Sequence, residues 1–87
     1  RKSLEYYEKS LQMFQQLGMR RNASGSLLSL ADVHYRLNNY QKSLDYVNQA
    51  LLIKRELEDK QGESRALNLI GMIYDDLGNK EKIGSPK

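Results

Sequence analysis

Apolar residues recur along this chain at helical intervals. Leu27, Leu30, Ala31, His34 and Leu37 fall three and four apart, and so do Leu67, Ile70, Gly71, Tyr74 and Leu77. Such positions collect on one face of an α-helix, because 3.6 residues complete a turn. Leu44, Val47 and Leu51 carry the pattern through the segment between. Stop and start signals separate the runs. Gly18 suits the left-handed residue that follows a helix, Asn38-Asn39 and Gly78-Asn79 sit at equivalent places, and Asp59 can cap a helix beginning near Lys60. The pattern predicts helices over about 2–17, 20–37, 40–57 and 60–77, then a frayed tail over 80–87.

The chain also matches itself without gaps. At an offset of 40, Lys2, Ser3, Leu4, Tyr6 and Leu11 fall on Lys42, Ser43, Leu44, Tyr46 and Leu51. Leu17, Ser24, Leu27, Leu37 and Asn39 fall on Leu57, Ser64, Leu67, Leu77 and Asn79, and conservative pairs such as Ala31 with Gly71 fill the intervals. Self-similarity at a fixed period is the mark of a repeat array, in which each unit buries its apolar face against its neighbours. The expected fold is all-α, an α-solenoid of antiparallel helix hairpins.

Composition narrows the class of function. The 87 residues hold no cysteine, and 14 basic against 11 acidic residues leave a net charge of +3. Those charges are scattered; only Arg20-Arg21 and Lys54-Arg55 cluster, so the surface is mixed and not a nucleic-acid footprint. No apolar run approaches a membrane span, and Arg1-Lys2-Ser3-Leu4-Glu5 is not followed by a signal-peptide core. A cytoplasmic setting, with neither nucleic-acid nor membrane partners, is the expectation. A chain this short buries a thin core, so its stability must come from helix packing or from neighbours.

At Leu69-Ile70-Gly71-Met72-Ile73-Tyr74-Asp75-Asp76-Leu77-Gly78-Asn79 the sequence resembles the LGxxYxxLG turn of a tetratricopeptide repeat. The segment from Leu30 to Tyr40, followed by Ser43, Leu44, Tyr46, Ala50 and Leu51, is similar to the same turn and the helix after it. A 40-residue period exceeds the family's ordinary 34, with the extra residues around Lys54–Glu63, as in the long repeats of kinesin light chains, cell-polarity adaptors and bacterial signalling arrays. The resemblance covers residues 1–79: a lone second (B) helix at 1–17, one complete repeat at 20–57 and a lone first (A) helix at 60–78. That phase predicts a piece cut from a longer array, or last residues that differ from the parent's continuation, since Ile83 stands where Ser3 and Ser43 supply a small side chain.

The resemblance implies a protein-interaction scaffold without enzymatic activity or cofactor, binding a protein or peptide in the concave groove lined by A helices. The alternatives are a sensor segment of a larger signalling protein and, more remotely, nucleic-acid binding. Groove places carried over from the family are Gly25, Leu28, Ser29, Asp32 and Arg36, then Arg65, Asn68, Leu69, Met72, Asp75 and Asp76. The lysines and asparagines that clamp a chaperone's terminal carboxylate are missing, since Gly25, Ser29 and Leu69 occupy those places and only Arg65 fits.

The remaining chemistry-bearing residues read as structure. His34 is the single histidine and takes the place of Tyr74, so it forms no metal set. Adjacent carboxylates such as Asp75-Asp76 point about 100° apart on a helix and share no pocket. Ser24, Ser26 and Ser29 lack a base. Small residues at Ser3, Ser10, Ala31, Ser43, Ala50 and Gly71 allow backbones to approach closely. Tyr40, Tyr46 and Tyr74 fall at packing places, which leaves Tyr7 and Tyr35 as the expected exposed rings. Finally, the lone end helices predict complementary faces: Ser3, Leu4, Tyr6, Ser10 and Leu11 at one end, Gly71, Tyr74 and Leu77 at the other. These would support a head-to-tail or helix-exchanged homo-oligomer.

Overall fold

The computed structural model describes the backbone of residues 2–84 and the side chains of residues 2–79. The described chain forms four α-helices: α1 Lys2–Gln16, α2 Arg20–Arg36, α3 Tyr40–Glu56 and α4 Lys60–Gly84. Each packs antiparallel on the next, α2 and α3 share the most extensive contact, and α2 also touches α4 along one edge. The second and fourth helices begin 40 residues apart, as the self-match requires.

Three turns join the helices and they share one bonding pattern. The amides of Leu17, Gly18 and Met19 donate to the carbonyls of Met13, Gln15 and Phe14. Leu37, Asn38 and Asn39 repeat this on Val33, Tyr35 and His34, and Leu57, Glu58 and Asp59 on Ile53, Arg55 and Lys54. The middle residue of each turn is left-handed, with φ of 71° at Gly18, 66° at Asn38 and 57° at Glu58. Crossed bonds of this kind satisfy the carbonyls left open at a helix end.

The core lies between α2, α3 and α4, where Ala31, Leu44, Val47, Leu51, Ala66, Leu69 and Ile73 are buried. Ala31 lets α3 come close: the Ser43 hydroxyl, fully buried, donates to the Ala31 carbonyl at 2.6 Å. Ala50 is likewise fully buried. Beside them the His34 and Tyr46 rings stack at 5.5 Å, and the Asn39 side-chain amide lies 3.3 Å from His34 Nδ1. Burial lowers the His34 pKa below its ordinary value, the Lys42 charge adds to this, and Glu8 opposes it.

Helix α1 has no fully buried residue, because only one of its faces meets the rest of the chain. The same asymmetry corrects the expected tyrosine exposure. Tyr6 and Tyr74 are the open rings, at 67% and 59%, whereas Tyr7 and Tyr35 are half-buried. Tyr6 lies on a face of α1, and Tyr74 on a face of α4, that no other described helix covers. Among the small residues, Ser3 and Gly71 are exposed for that reason, and Ser10 is half-buried.

A second correction concerns the end of the chain. The helix expected to stop near residue 77 runs through Leu77-Gly78-Asn79 to Gly84, so 80–84 is helical backbone and not a frayed tail; residues 85–87 of that tail lie outside the described residues. A hairpin at Gly78 would set Ile83 where Ser43 makes its short bond to Ala31. Isoleucine is too large for that approach and has no hydroxyl to donate.

Candidate functional site

Helices α2 and α4 lie side by side with α3 behind them, and the shallow wall between them is the candidate site. Seven of the places read from the sequence meet there. Leu28, Ser29 and Asp32 from α2 and Arg65, Asn68, Leu69 and Met72 from α4 line one cavity of about 280 Å³. Leu69 is buried and belongs to the core, so with half-buried Leu28 and the exposed Met72 it forms an apolar floor. Polar groups rim it. Asp32 is held by Arg36 at 3.2 Å, one turn along the same helix. The Asn68 amide rests on the Met72 sulfur at 3.7 Å. Arg65 is exposed, and no carboxylate pairs with it among the described residues.

Four expected groove residues are absent from this cavity, and of these Gly25 lines the neighbouring hollow described below. Arg36 folds onto Asp32, and Asp75 is exposed beyond the rim. Asp76 is half-buried and accepts the Tyr35 hydroxyl at 2.8 Å and the Tyr40 hydroxyl at 3.4 Å. It continues the stripe Ala66, Leu69, Ile73, three residues further on, and that stripe faces α2 and α3. Asp76 is therefore a tie between helices. The bond to Asp76 is the main reason the Tyr35 pKa is raised above its usual value, since ionising the phenol would remove the donor and face a carboxylate.

A neighbouring hollow of about 450 Å³ opens between α1 and the first half of α2. It shares Leu28, Ser29 and Arg65 with the first, and adds Gly25, Asn22 and Ser26 with Tyr6, Tyr7, Ser10 and Phe14 of α1. Lys54 also reaches it, although this lysine is largely buried, with Nζ 3.2 Å from Asp59 Oδ2. The α1 and α3 contributors were not foreseen as groove residues. The signal that would have found them is the run Asn22, Gly25, Ser26, Ser29: its small side chains make this half of α2 thin, so residues from neighbouring helices show through.

The N-terminal end of α4 is tightly organised. Asp59 Oδ1 accepts the Gly62 amide at 3.0 Å, Asp59 Oδ2 meets Lys54, and Arg55 Nε lies 3.0 Å from Glu63 Oε2. The Gly62 amide is the main cause, and Lys54 the next, of an Asp59 pKa held below the ordinary carboxylate value. Arg20 pairs with Glu56 across the α2–α3 hairpin.

Helix pairs in a 40-residue register, left-handed turns and small residues at the tightest crossing are the features of one repeat family, and its sequence model, described as tetratricopeptide repeat, matches residues 1–56 and 22–83. The chain belongs to the tetratricopeptide-repeat family. The two overlapping matches together cover residues 1–83 and so reach all four helices. A comparison with curated proteins finds none that matches the chain. Tetratricopeptide repeats are non-enzymatic units that generally mediate protein–protein interactions. Among the described residues no three metal-ligating side chains gather, and no helix is long and apolar enough to cross a membrane.

Proposed function

We propose that this tetratricopeptide-repeat chain is a docking scaffold that takes a peptide segment of another protein along the α2–α4 wall. The observation that carries the reading is the cavity in which Leu28, Leu69 and Met72 form an apolar floor while Arg65 stands beside it with no carboxylate partner among the described residues. A segment with one apolar side chain and a carboxylate a few residues away matches that chemistry. Charge-assisted hydrogen bonding to guanidinium is strong and directional, and an apolar anchor supplies area. We assign the repeats to the long type, on helix pairs that recur every 40 residues. The absence of cysteine agrees with a reducing, cytoplasmic setting.

The test is a peptide-display selection on the whole chain, followed by fluorescence titration of the selected peptides. Selected sequences should pair an acidic with an apolar residue. Arg65→Glu combined with Asn68→Ala should weaken binding at least about tenfold, roughly the loss of one charged hydrogen bond. Both side chains are exposed, so helicity should not change. Affinity that responds only to changes at Lys2, Lys9 or Lys42 on the B helices would refute the groove assignment.

A further inference from the structure

The α2–α4 groove carries opposite charges at its two ends and on its two walls. Each helix packs antiparallel on the next, so α2 and α4 run the same way and touch along one edge. Arg65 of α4 lies one 40-residue period from Gly25 of α2, and the two line the same hollow. Asp32 stands on the opposite wall, seven residues beyond Gly25, which is about 10 Å further along at 1.5 Å per residue. Helices in contact lie about 8–10 Å apart, so the line from Arg65 to Asp32 crosses the groove diagonally over about 13 Å. The apolar floor of Leu28, Leu69 and Met72 lies beneath that line.

Asp32 keeps capacity for a second cation. Arg36 meets its Oδ2 at 3.2 Å, yet the two side chains leave 48% and 76% of their surface open. An exposed pair of this kind holds weakly, and a carboxylate has acceptor sites to spare. The surroundings favour a cation as well. Asp75 is exposed and Asp76 half-buried at the same end of the wall, so among the described residues of α2 and α4 there, carboxylates outnumber the single guanidinium of Arg36.

We propose that this groove, whose docking role is the one proposed above, selects an extended segment bearing an acidic, an apolar and a basic side chain at alternate positions. The acid meets Arg65, the apolar side chain enters the floor, and the base meets Asp32. Alternate residues of an extended chain share one face, and the four steps from first to fifth residue span about 13 Å at 3.3 Å each, which is the diagonal. The cavity of about 280 Å³ suits a single strand, whereas a helix is about 10–12 Å across. A wholly acidic segment is rejected, because its second carboxylate would face Asp32 and Asp75.

Fluorescence titration of the whole chain with a labelled peptide, its core Glu-Ser-Leu-Ser-Lys between uncharged flanks, is the test, carried to about 1 mM. Asp32→Asn and replacement of the peptide lysine by glutamine should each weaken binding about two- to fivefold, the range of one exposed ion pair, and together no more than either alone. Arg65→Gln should couple in the same way to the peptide glutamate, while the crossed combinations should simply multiply. Arg36→Gln releases Asp32 and should strengthen binding of the lysine peptide by a similar factor, a gain that a folding defect does not mimic. Circular dichroism checks that helicity is kept. Moving the lysine two residues closer should abolish its coupling to Asp32. Binding that depends on Arg65 and the glutamate but ignores Asp32 and the lysine would overturn the charge order and leave the docking groove standing. Display-selected peptides that bind in the groove while this one does not would overturn it equally. If no peptide of either kind binds the groove, both readings fall.

Discussion

Replacing Gly62 with alanine should destabilise the protein, against the rule for a helical glycine. In an ordinary helix the change gains about 1 kcal/mol, because alanine has less backbone freedom to lose. Gly62 has no such room. A Cβ there would lie 2.5 Å from Lys54 Cδ, 2.7 Å from Lys54 Cε and 2.7 Å from Asp59 Oδ2. The lysine stem must swing out, which breaks its contact with Asp59 and exposes methylenes now buried. Loss of a partly buried charged hydrogen bond costs about 1.5–3 kcal/mol, which exceeds the propensity gain, so the net effect is a loss of about 1 kcal/mol. For a domain of this size that lowers Tm by roughly 4–8 °C. The loss should shrink when the lysine is removed. In a Lys54→Ala background only Asp59 Oδ2 still crowds the Cβ and no lysine bond is left to break, so Gly62→Ala should cost about 1–2 kcal/mol less than in the native protein, and that difference is the coupling in the double-mutant cycle. Urea unfolding followed by circular dichroism measures all four proteins. If Gly62→Ala stabilises both backgrounds equally, Lys54 does not require the glycine and the steric argument fails.

Lowering the pH should weaken the fold through His34. Its folded pKa lies below the ordinary 6.5, so the unfolded chain binds the proton more readily. The contribution is complete above 6.5 and is lost as pH falls from there through the folded value; Asp59, whose pKa is depressed from 3.8, loses its own contribution only at lower pH. Tm should therefore drop between pH 7 and 5 in the native protein, and His34→Phe should flatten that interval; an unchanged slope would exclude His34 as the cause. At the fully buried Ala50, leucine should overpack its surroundings at about 1–3 kcal/mol, whereas Ser10→Leu, half-buried at the hollow between α1 and α2, should cost less, about 1 kcal/mol or under. Equal losses at the two places in thermal melts would mean that Ser10 has no more room than Ala50.

Helical periodicity and the 40-residue self-match made the four helices legible in the sequence, and Gly18 and Asp59 play the local roles their chemistry suggests. Glu58 was not legible, because glutamate is no signal for a left-handed residue; the spacing of Leu17, Leu37, Leu57 and Leu77 by 20 would have marked its turn. The same spacing misleads at Leu77-Gly78-Asn79, where a turn sequence stays helical. Tyr74 was read as a packing residue and Tyr7 and Tyr35 as the open rings, whereas Tyr6 and Tyr74 are exposed, since exposure depends on whether a partner helix is present, which periodicity does not contain. In the groove, the seven places that line the cavity came from the family resemblance. Asp76 departed from that reading because a carboxylate on the core-facing stripe found two phenol donors, a matter of three-dimensional proximity across 36 and 41 residues. The reach of Lys54 over Gly62 has the same origin, and one period earlier the pair is Phe14 with Asn22.

The three turns carry a consequence for how the chain finds its fold. Helices α2 and α3 are both 17 residues long, and the turns on either side have the same bonds. The main chain thus repeats every 20 residues while the side chains repeat every 40. During collapse, a helix displaced by one step meets a seat of the right length and hand, and only side-chain fit rejects it. The discriminating fit is narrow: a serine against an alanine carbonyl, and one ring on another. Erasing it, by making Ala31 and Ser43 both leucine for instance, would leave intact helices with competing ways to pair. The compact states would then approach one another in energy, and the smooth descent to a single arrangement would give way to slow sorting among mispaired ones.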